Sequence, residues 1–551
     1  MTLVDYMITL LFAILIVAFI VMVSILIGLY LFDRFQPTHS ILRNFPLLGR
    51  MRYYLENMGP ELRQYFYNND REGRPFSRDD YDHIVKSAKY QRNVIGFGSK
   101  RDFRKSGYYV RNAMFPRQME ELRMDRETQV KTKKYILRKE LLFAQRDERL
   151  IDDSTQAYLL SEEDTKIVGE KTKNPWKVRS LIGMSAMSFG ALGSHAITAL
   201  SEGLHLAKGT WMNTGEGGLS PYHLQGGADI IMQIGPGLFG VRTPEGEFNW
   251  EELKKKSQIP QIKAFELKLA QGAKLRGGHV DAEKVTPEIA KIRLVKPYHS
   301  IDSPNRFQQF HDLPSLFAFV EQIRAVVEKP VGIKIVIGSY EEAEELAHYI
   351  KQTGQSPDFI TIDGGEGGTG ATYQELADAV GLPIHSALPL LDAALRAAGV
   401  RETVKIFASG KLFTPDRIAV ALAMGADFVN IARGLMISVG CIQALKCHSN
   451  ACPVGVATTD PNLQRALVID EKKYRVVNYM VTLREGLFRL AAAVGIDSPT
   501  EFQRKHITYK DDKGVVYGLD EIYQAMVHPT LPESAQFHKK IRVMRREKVK
   551  S

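Results

Sequence analysis

The chain has 551 residues, 44% of them hydrophobic and 25% charged, with 73 Lys and Arg against 63 Asp and Glu for a net charge of +10. That length leaves room for one large core of about 250 residues plus accessory parts. The positive excess forms no groove-reading element and accompanies no nucleic-acid motif, so nucleic acid is not an expected partner. Its three cysteines fall within twelve residues of one another, which excludes the paired disulfide framework of a small secreted protein and points to a reduced compartment.

In chain order, Tyr6 to Phe32 comes first: 27 residues without a charge. As a helix this stretch spans about 40 Å, more than the roughly 30 Å of a bilayer's hydrocarbon core, and it predicts one transmembrane helix over 6–32. A cleaved signal peptide fits less well, because Asp5 and no basic residue precede the apolar run. Arg34, Arg43, Arg50 and Arg52 follow it. The positive-inside bias therefore predicts a single-pass protein of the cell membrane with its catalytic part in the cytoplasm.

Residues 33–175 are polar, rich in charge and poor in Gly, and read as an accessory N-terminal domain. From Val178 the texture changes to short apolar runs that end in Gly, Ser, Asp or Asn and lead into helical stretches, such as "VGIKIVIGS", "DFITIDGGEGGTG" and "DFVNIARG". This alternation predicts a parallel α/β architecture, and its extent fits a (β/α)8 TIM barrel over 176–490. The chain turns helical after Asp460. Residues 491–551 form a C-terminal extension whose last stretch, "HKKIRVMRREKVKS", sets seven Lys or Arg against one Glu: a solvated tail, or a contact for anionic lipid headgroups.

Functional residues of a barrel lie where its strands end. Ser409 and Gly410 close one late strand; Gly425 precedes the next, which ends at Ala432 and Arg433. Such loops commonly bind phosphate through backbone N–H groups and a helix N-terminus. The loop from Asp363 to Ala371, with Gly364, Gly365, Gly367 and Gly368, leaves room for a flat ring. Together these read as a pocket for flavin mononucleotide (FMN), with Lys334 placed to stabilise the anionic reduced flavin. Gln271, Lys274, Arg276, His279 and Arg293 share one further segment, and their cations suggest an anionic substrate. Cys441, Cys447 and Cys452 suit a [3Fe–4S] cluster, or a [4Fe–4S] cluster with one non-cysteine corner; a zinc site completed by His448 is the competing reading.

The segments "SAMSFGALG", "NTGEGG", "KLAQGAK", "DGGEGGTGA", the phosphate loops and "CIQALKCHSNACPVGVAT" together resemble the FMN and iron–sulfur synthase domain of glutamate synthase, in the same order over about residues 180 to 490. That resemblance implies a (β/α)8 barrel that makes glutamate from 2-oxoglutarate and ammonia, by hydride transfer from reduced FMN to 2-iminoglutarate. It also implies roles: Met187, Ser188 and Lys334 at the flavin, with the phosphate near Ser409, Gly410, Gly425 and Arg433. Gln271, Lys274 and Arg293 hold the 2-oxoglutarate carboxylates, Glu216 lies near the ammonia entry, and the three cysteines carry the cluster. Glu216 and Lys274 are the residues assigned to the reaction centre, in positioning and charge neutralisation.

Two departures matter. The loop after Lys274 is one residue shorter than the large-subunit pattern and has His279 where a Gln is usual, which opens the substrate's identity because His changes charge near neutral pH. The glutaminase domain with its nucleophilic cysteine and the terminal β-helix are not found, so ammonia is expected free or from a separate subunit. No Rossmann fingerprint follows a strand, and electrons are expected through an unidentified partner. Two other readings stand beside the synthase: an amino- or hydroxy-acid dehydrogenase that passes electrons through the cluster to a membrane acceptor, and a non-catalytic electron-transfer or assembly subunit.

Overall fold

The computed structural model describes residues 3–92, 94–138, 147–272, 279–280, 282–370 and 372–527. They divide into two compact units, one ending at Asp82 and the other beginning at His83. The first unit opens with helix α1 (Leu3–Phe35), whose long apolar stretch is not buried anywhere. Among the described residues it is the one helix long and apolar enough to cross a membrane, a property of length and composition that signal sequences share. Near its end Asp33 is fully buried and accepts hydrogen bonds from Arg50 Nη2 (2.6 Å), Arg50 Nε (2.9 Å) and Leu47 N (3.1 Å). A buried carboxylate persists only when paired in this way, and the pairing pins the helix Leu48–Leu62 to the end of α1.

In the second unit eight parallel strands form one sheet: β1 (Ile182–Met184), β2 (Trp211–Asn213), β3 (Asp229–Ile234), β4 (Ile262–Lys268), β5 (Val331–Ile335), β6 (Phe359–Asp363), β7 (Lys405–Ser409) and β8 (Phe428–Ile431). Their order is β1-β8-β7-β6-β5-β4-β3-β2. The remaining seam, between β1 and β2, is bridged in parallel by Ala186 and Asn213, and Thr210 Oγ1 donates to the Ile182 carbonyl at 2.7 Å. The sheet thus closes on itself as a TIM-like barrel, and the α/β expectation for this region holds.

Side chains alternate across a strand, and the inward positions change character along the barrel axis. Where the strands begin, Trp211, Ile231, Ala264, Phe359, Phe407 and Phe428 pack together, closed from below by Val168, Trp176 and Val178 of the hairpin formed by 166–168 and 176–178. Two residues further along the same strands stand Asn213, Gln233, Glu266, Thr361, Ser409 and Asn430, and one step beyond come Lys268 and Asp363. The middle of the barrel is a closed polar network. Glu266, fully buried, accepts from Asn213 Nδ2 (2.9 Å), Gln233 Nε2 (2.5 Å) and Thr361 Oγ1 (2.5 Å), while Trp211 Nε1 donates to Asn430 Oδ1 at 3.0 Å.

Outside the barrel, helix α2 (Ser194–Ala207) packs against a later 26-residue helix, Ile469–Val494. Arg484 on that helix is buried and donates to the carbonyls of Ala157 (3.2 Å), Ala207 (2.7 Å) and Lys208 (2.7 Å) and to Ser180 Oγ (3.1 Å). One guanidinium, with its several donors in a planar fork, therefore ties the late helix to the strand-start side of the barrel.

Candidate active site

Because all eight strands are parallel, their C-terminal ends share one mouth, and the polar inward positions gather there. Lys268 Nζ lies 2.9 Å from Glu216 Oε1, and Lys334 Nζ lies 2.9 Å from Asp363 Oδ2; all four side chains are largely or wholly buried. Burial alone would depress the Lys334 ammonium, but the carboxylates of Asp363, Glu266 and Glu216 outweigh it and hold its pKa above the ordinary lysine value. Lys334 is therefore a permanent buried cation. Gly272 N also donates to Asp363 Oδ2 (3.2 Å), while Asp363 Oδ1 is buried without a hydrogen-bond partner.

The loop after β2, "NTGEGG", folds onto the loop after β1. Gly215 adopts φ +67°, and a Cβ there would stand 2.8 Å from Ser188 N. A side chain at this position would therefore push Met187 and Ser188 away from the mouth. Behind them, fully buried His223 meets the Met187 carbonyl through Nε2 (3.2 Å) and Ser220 Oγ through Nδ1 (2.7 Å). Burial lowers its pKa to about 4. A neutral ring with its proton on Nε2 satisfies both contacts.

Arg293 ends helix α3 (Pro287–Arg293), started by Thr286, whose side chain accepts from Ile289 N. Its guanidinium is buried, lies over the Phe239 ring at 5.4 Å and touches the Phe189 carbonyl at 3.4 Å, and its Nε has no hydrogen-bond partner. Burial lowers its pKa, and the Glu216 charge works in the opposite direction. An arginine so placed, without a direct carboxylate partner among the described residues, is suited to an anion brought from outside.

The glycine-rich loop after β6 meets the segment after β4. A Cβ on Gly272 would collide with the Gly364 carbonyl, and Gln271 Nε2 donates to the Gly368 carbonyl at 2.9 Å. Gly410 follows β7 at φ +153°, and a Cβ there would lie 2.8 Å from Ile384 Cβ. Arg433, at the start of helix α4 (Arg433–Ser438) and preceded by Ala432, reaches over Gly368 to the Glu366 carbonyl (2.5 Å), and burial lowers its pKa to about 10. Ser409, Gly410, Ala432, Arg433 and Gly364 to Gly368 are thus brought to one side of the mouth. Gly425 is not. It lies between the helix Pro415–Ala423 and the start of β8, its carbonyl accepts from Arg401, and a Cβ would run into Asp392. A strand's first end and its last are at opposite ends of the barrel, which takes Gly425 out of any phosphate site at the mouth.

Lys274 and Arg276 lie outside the described residues. His279 pairs by backbone with Asp302 in a short two-stranded ribbon. Lys268 and His223 were not singled out from the sequence. Lys268 carried a signal nonetheless: in "AFELK" it stands two residues after Glu266 on the same inward parity. His223 carried none, because its role depends on contact with a loop 36 residues earlier.

The cysteine segment follows α4. Cys441 N donates to the Met436 carbonyl (3.0 Å), Cys452 is buried, and the Cys447 carbonyl accepts from Lys284 Nζ (2.9 Å). Burial, aided by the charges of the other two cysteines, raises the Cys441 thiol to about 11. The trio is thus close enough to interact, yet among the described residues no three His, Cys, Asp or Glu side chains converge tightly enough for a single ion. Three thiols are a donor set that fits a multi-iron cluster, about one thiolate to each iron. At the mouth, Asp363 Oδ1, without a hydrogen-bond partner among the described residues, the Lys334 ammonium and the buried Arg433 guanidinium fit a flavin and its phosphate by the same test of donor chemistry.

Residues 117–497 match the family described as the conserved region in glutamate synthase. The chain is 58% identical over 500 residues to the glutamate synthase large subunit-like protein YerD of Bacillus subtilis, covering 91% of this chain and 95% of that protein. It is 35% identical over 329 residues to the archaeal glutamate synthase (NADPH) of Methanocaldococcus jannaschii, covering 58% of this chain and 60% of that protein. Against the glutamate synthase (NADPH) large chain of Bacillus subtilis it is 30% identical over 318 residues, only 20% of that chain's length.

Proposed function

The chain belongs to the glutamate synthase family, oxidoreductases acting on CH–NH2 groups, and from that premise we propose that it is an FMN- and iron–sulfur-dependent enzyme that reduces 2-iminoglutarate, formed from 2-oxoglutarate and ammonia, to glutamate. The observation that carries the reading is the charged mouth: two buried ion pairs, Lys268–Glu216 and Lys334–Asp363, beside an Arg293 whose Nε is unpartnered. Bound FMN would supply the hydride that reduces the imine carbon.

The protein's own part is positioning and charge. Arg293, Gln271 and, by resemblance, Lys274 hold the keto-acid carboxylates. Glu216, paired with Lys268, attracts ammonium or steadies the positive imine nitrogen. Lys334, held charged by its carboxylates, offsets negative charge on the reduced flavin, and His223 keeps the Met187–Ser188 loop against it. The phosphate is held by Ser409, Gly410 and Arg433. Cys441, Cys447 and Cys452 would hold a cluster, [3Fe–4S] by resemblance, which when bound would supply electron exchange with an external partner. Ammonia arrives free or from a separate subunit, and α1 anchors the enzyme in the cell membrane with the barrel in the cytoplasm.

The reverse direction, an amino- or hydroxy-acid dehydrogenase feeding a membrane acceptor, is favoured by α1 alone. One experiment separates the two. Photoreduced protein is mixed with 2-oxoglutarate and ammonium; flavin reoxidation with formation of glutamate supports the synthase. Bleaching of oxidised flavin by an amino or hydroxy acid, with no reoxidation in the first mixture, sinks it. Iron analysis with EPR tests the cluster.

A further inference from the structure

Lys284 lies outside the barrel mouth and belongs to no motif quoted above. It ends a single 3-10 turn, Ala282–Lys284, with its side chain buried, and its Nζ reaches 163 residues along the sequence to donate to the Cys447 carbonyl at 2.9 Å. Neighbouring structure holds it in place. Val285 is fully buried in a cluster with Phe239, Ala290 and Ile301, and its carbonyl accepts from Tyr298 N.

The cysteine at the other end has less local support. Cys441 is held by the end of α4 and Cys452 by burial, whereas Cys447 sits between exposed Lys446 and His448. Lys284 therefore supplies, from a distant element, both a tether and a positive charge.

We propose that Lys284 is a positioning residue for the iron–sulfur cluster and sets its reduction potential, by holding Cys447 in place and keeping a buried ammonium beside it. The proposal rests on the cluster reading. Reduction of a cluster adds one electron's negative charge, and a cation bonded to the backbone of one of its ligands favours the reduced form over the oxidised one. The stretch that carries Lys284 continues into α3 and Arg293.

The test is an EPR-monitored redox titration of the purified holoenzyme in three forms: wild type, Lys284→Met and Lys284→Arg. Lys284→Met should shift the reduction equilibrium at least about tenfold toward the oxidised cluster, about 59 mV for a one-electron couple. Lys284→Arg, which keeps charge and donor, should stay near wild type. A Lys284→Met protein with wild-type iron content, wild-type EPR signal and wild-type potential overturns the proposal. If Lys284→Met loses its iron, Lys284→Gln decides, since it keeps a donor without the charge: a lowered potential, or iron lost in Gln but kept in Arg, supports the role, and an unchanged potential overturns it. A wild-type protein with no cluster signal and no iron refutes the cluster reading itself, a different result from any of these.

Discussion

The two ends of the barrel are built from the same eight strands but by opposite rules. At the end where strands begin, inward positions are Trp211, Ile231, Ala264, Phe359, Phe407 and Phe428, and the hairpin residues Val168, Trp176 and Val178 close it. At the other end they are charged: Lys268 with Glu216, Lys334 with Asp363. Burying aromatic area is directly stabilising, whereas a buried ion pair rarely repays the dehydration of both charges. One end therefore carries the stability of the barrel, and the other holds charges in place for a ligand. The Glu266 network separates them, with Asn213, Gln233 and Thr361 donating to the buried carboxylate.

The sharpest way to break this contrast is to exchange the expected penalties. Trp211→Ala should destabilise the protein by about 3–5 kcal/mol, more if Asn430 Oδ1 loses its donor without replacement, and leave turnover per folded molecule little changed; denaturant unfolding beside flavin-normalised activity measures both. Lys334→Met should cost about 3–5 kcal/mol as well, because it strands a buried carboxylate. Here the second change tells the ends apart. Lys334→Met with Asp363→Asn should recover most of the stability while activity stays abolished. A double variant that regains activity would show that the mouth is structural.

Arg293→Ala should weaken apparent keto-acid affinity by about 2–5 kcal/mol, as for a group left to face a buried charge, with little effect on unfolding; an unchanged KM for 2-oxoglutarate removes Arg293 from the site. The smallest effect concerns pH. His223 titrates at about 4 in the folded chain and near 6.5 when unfolded, so its contribution to stability is present above pH 6.5 and is lost as pH falls through 4. Between pH 7 and 4.5 the wild type should lose about 2 kcal/mol more than His223→Gln does; equal losses in thermal melts would contradict a neutral buried ring.

Much of the site was legible because strand parity is a local rule. "DFITIDGG" carries Phe359, Thr361 and Asp363 on one face, from apolar floor to charged mouth, and Lys334 and Ser409 follow the same pattern. Gly425 shows where reading in this way fails. Its Gly-Ala-Asp context resembles a phosphate loop, yet it precedes its strand instead of following it, and in a parallel barrel that order by itself puts it at the end opposite the mouth. His223 and Lys284 fail differently. Each acts on a backbone carbonyl of a remote segment, and no spacing in a linear chain encodes that contact.

By itself, then, the sequence determined the parallel α/β class, the apolar N-terminal helix, the cysteine trio and most groups of the mouth, because each follows from hydrophobic period, composition or strand-end position. The tertiary structure alone decided that Lys268 pairs with Glu216, that His223 meets the Met187 carbonyl, and that Lys284 meets Cys447. The reason is physical: burial and pairing of charge depend on distances between segments far apart in the chain, and those distances exist only once the barrel has closed.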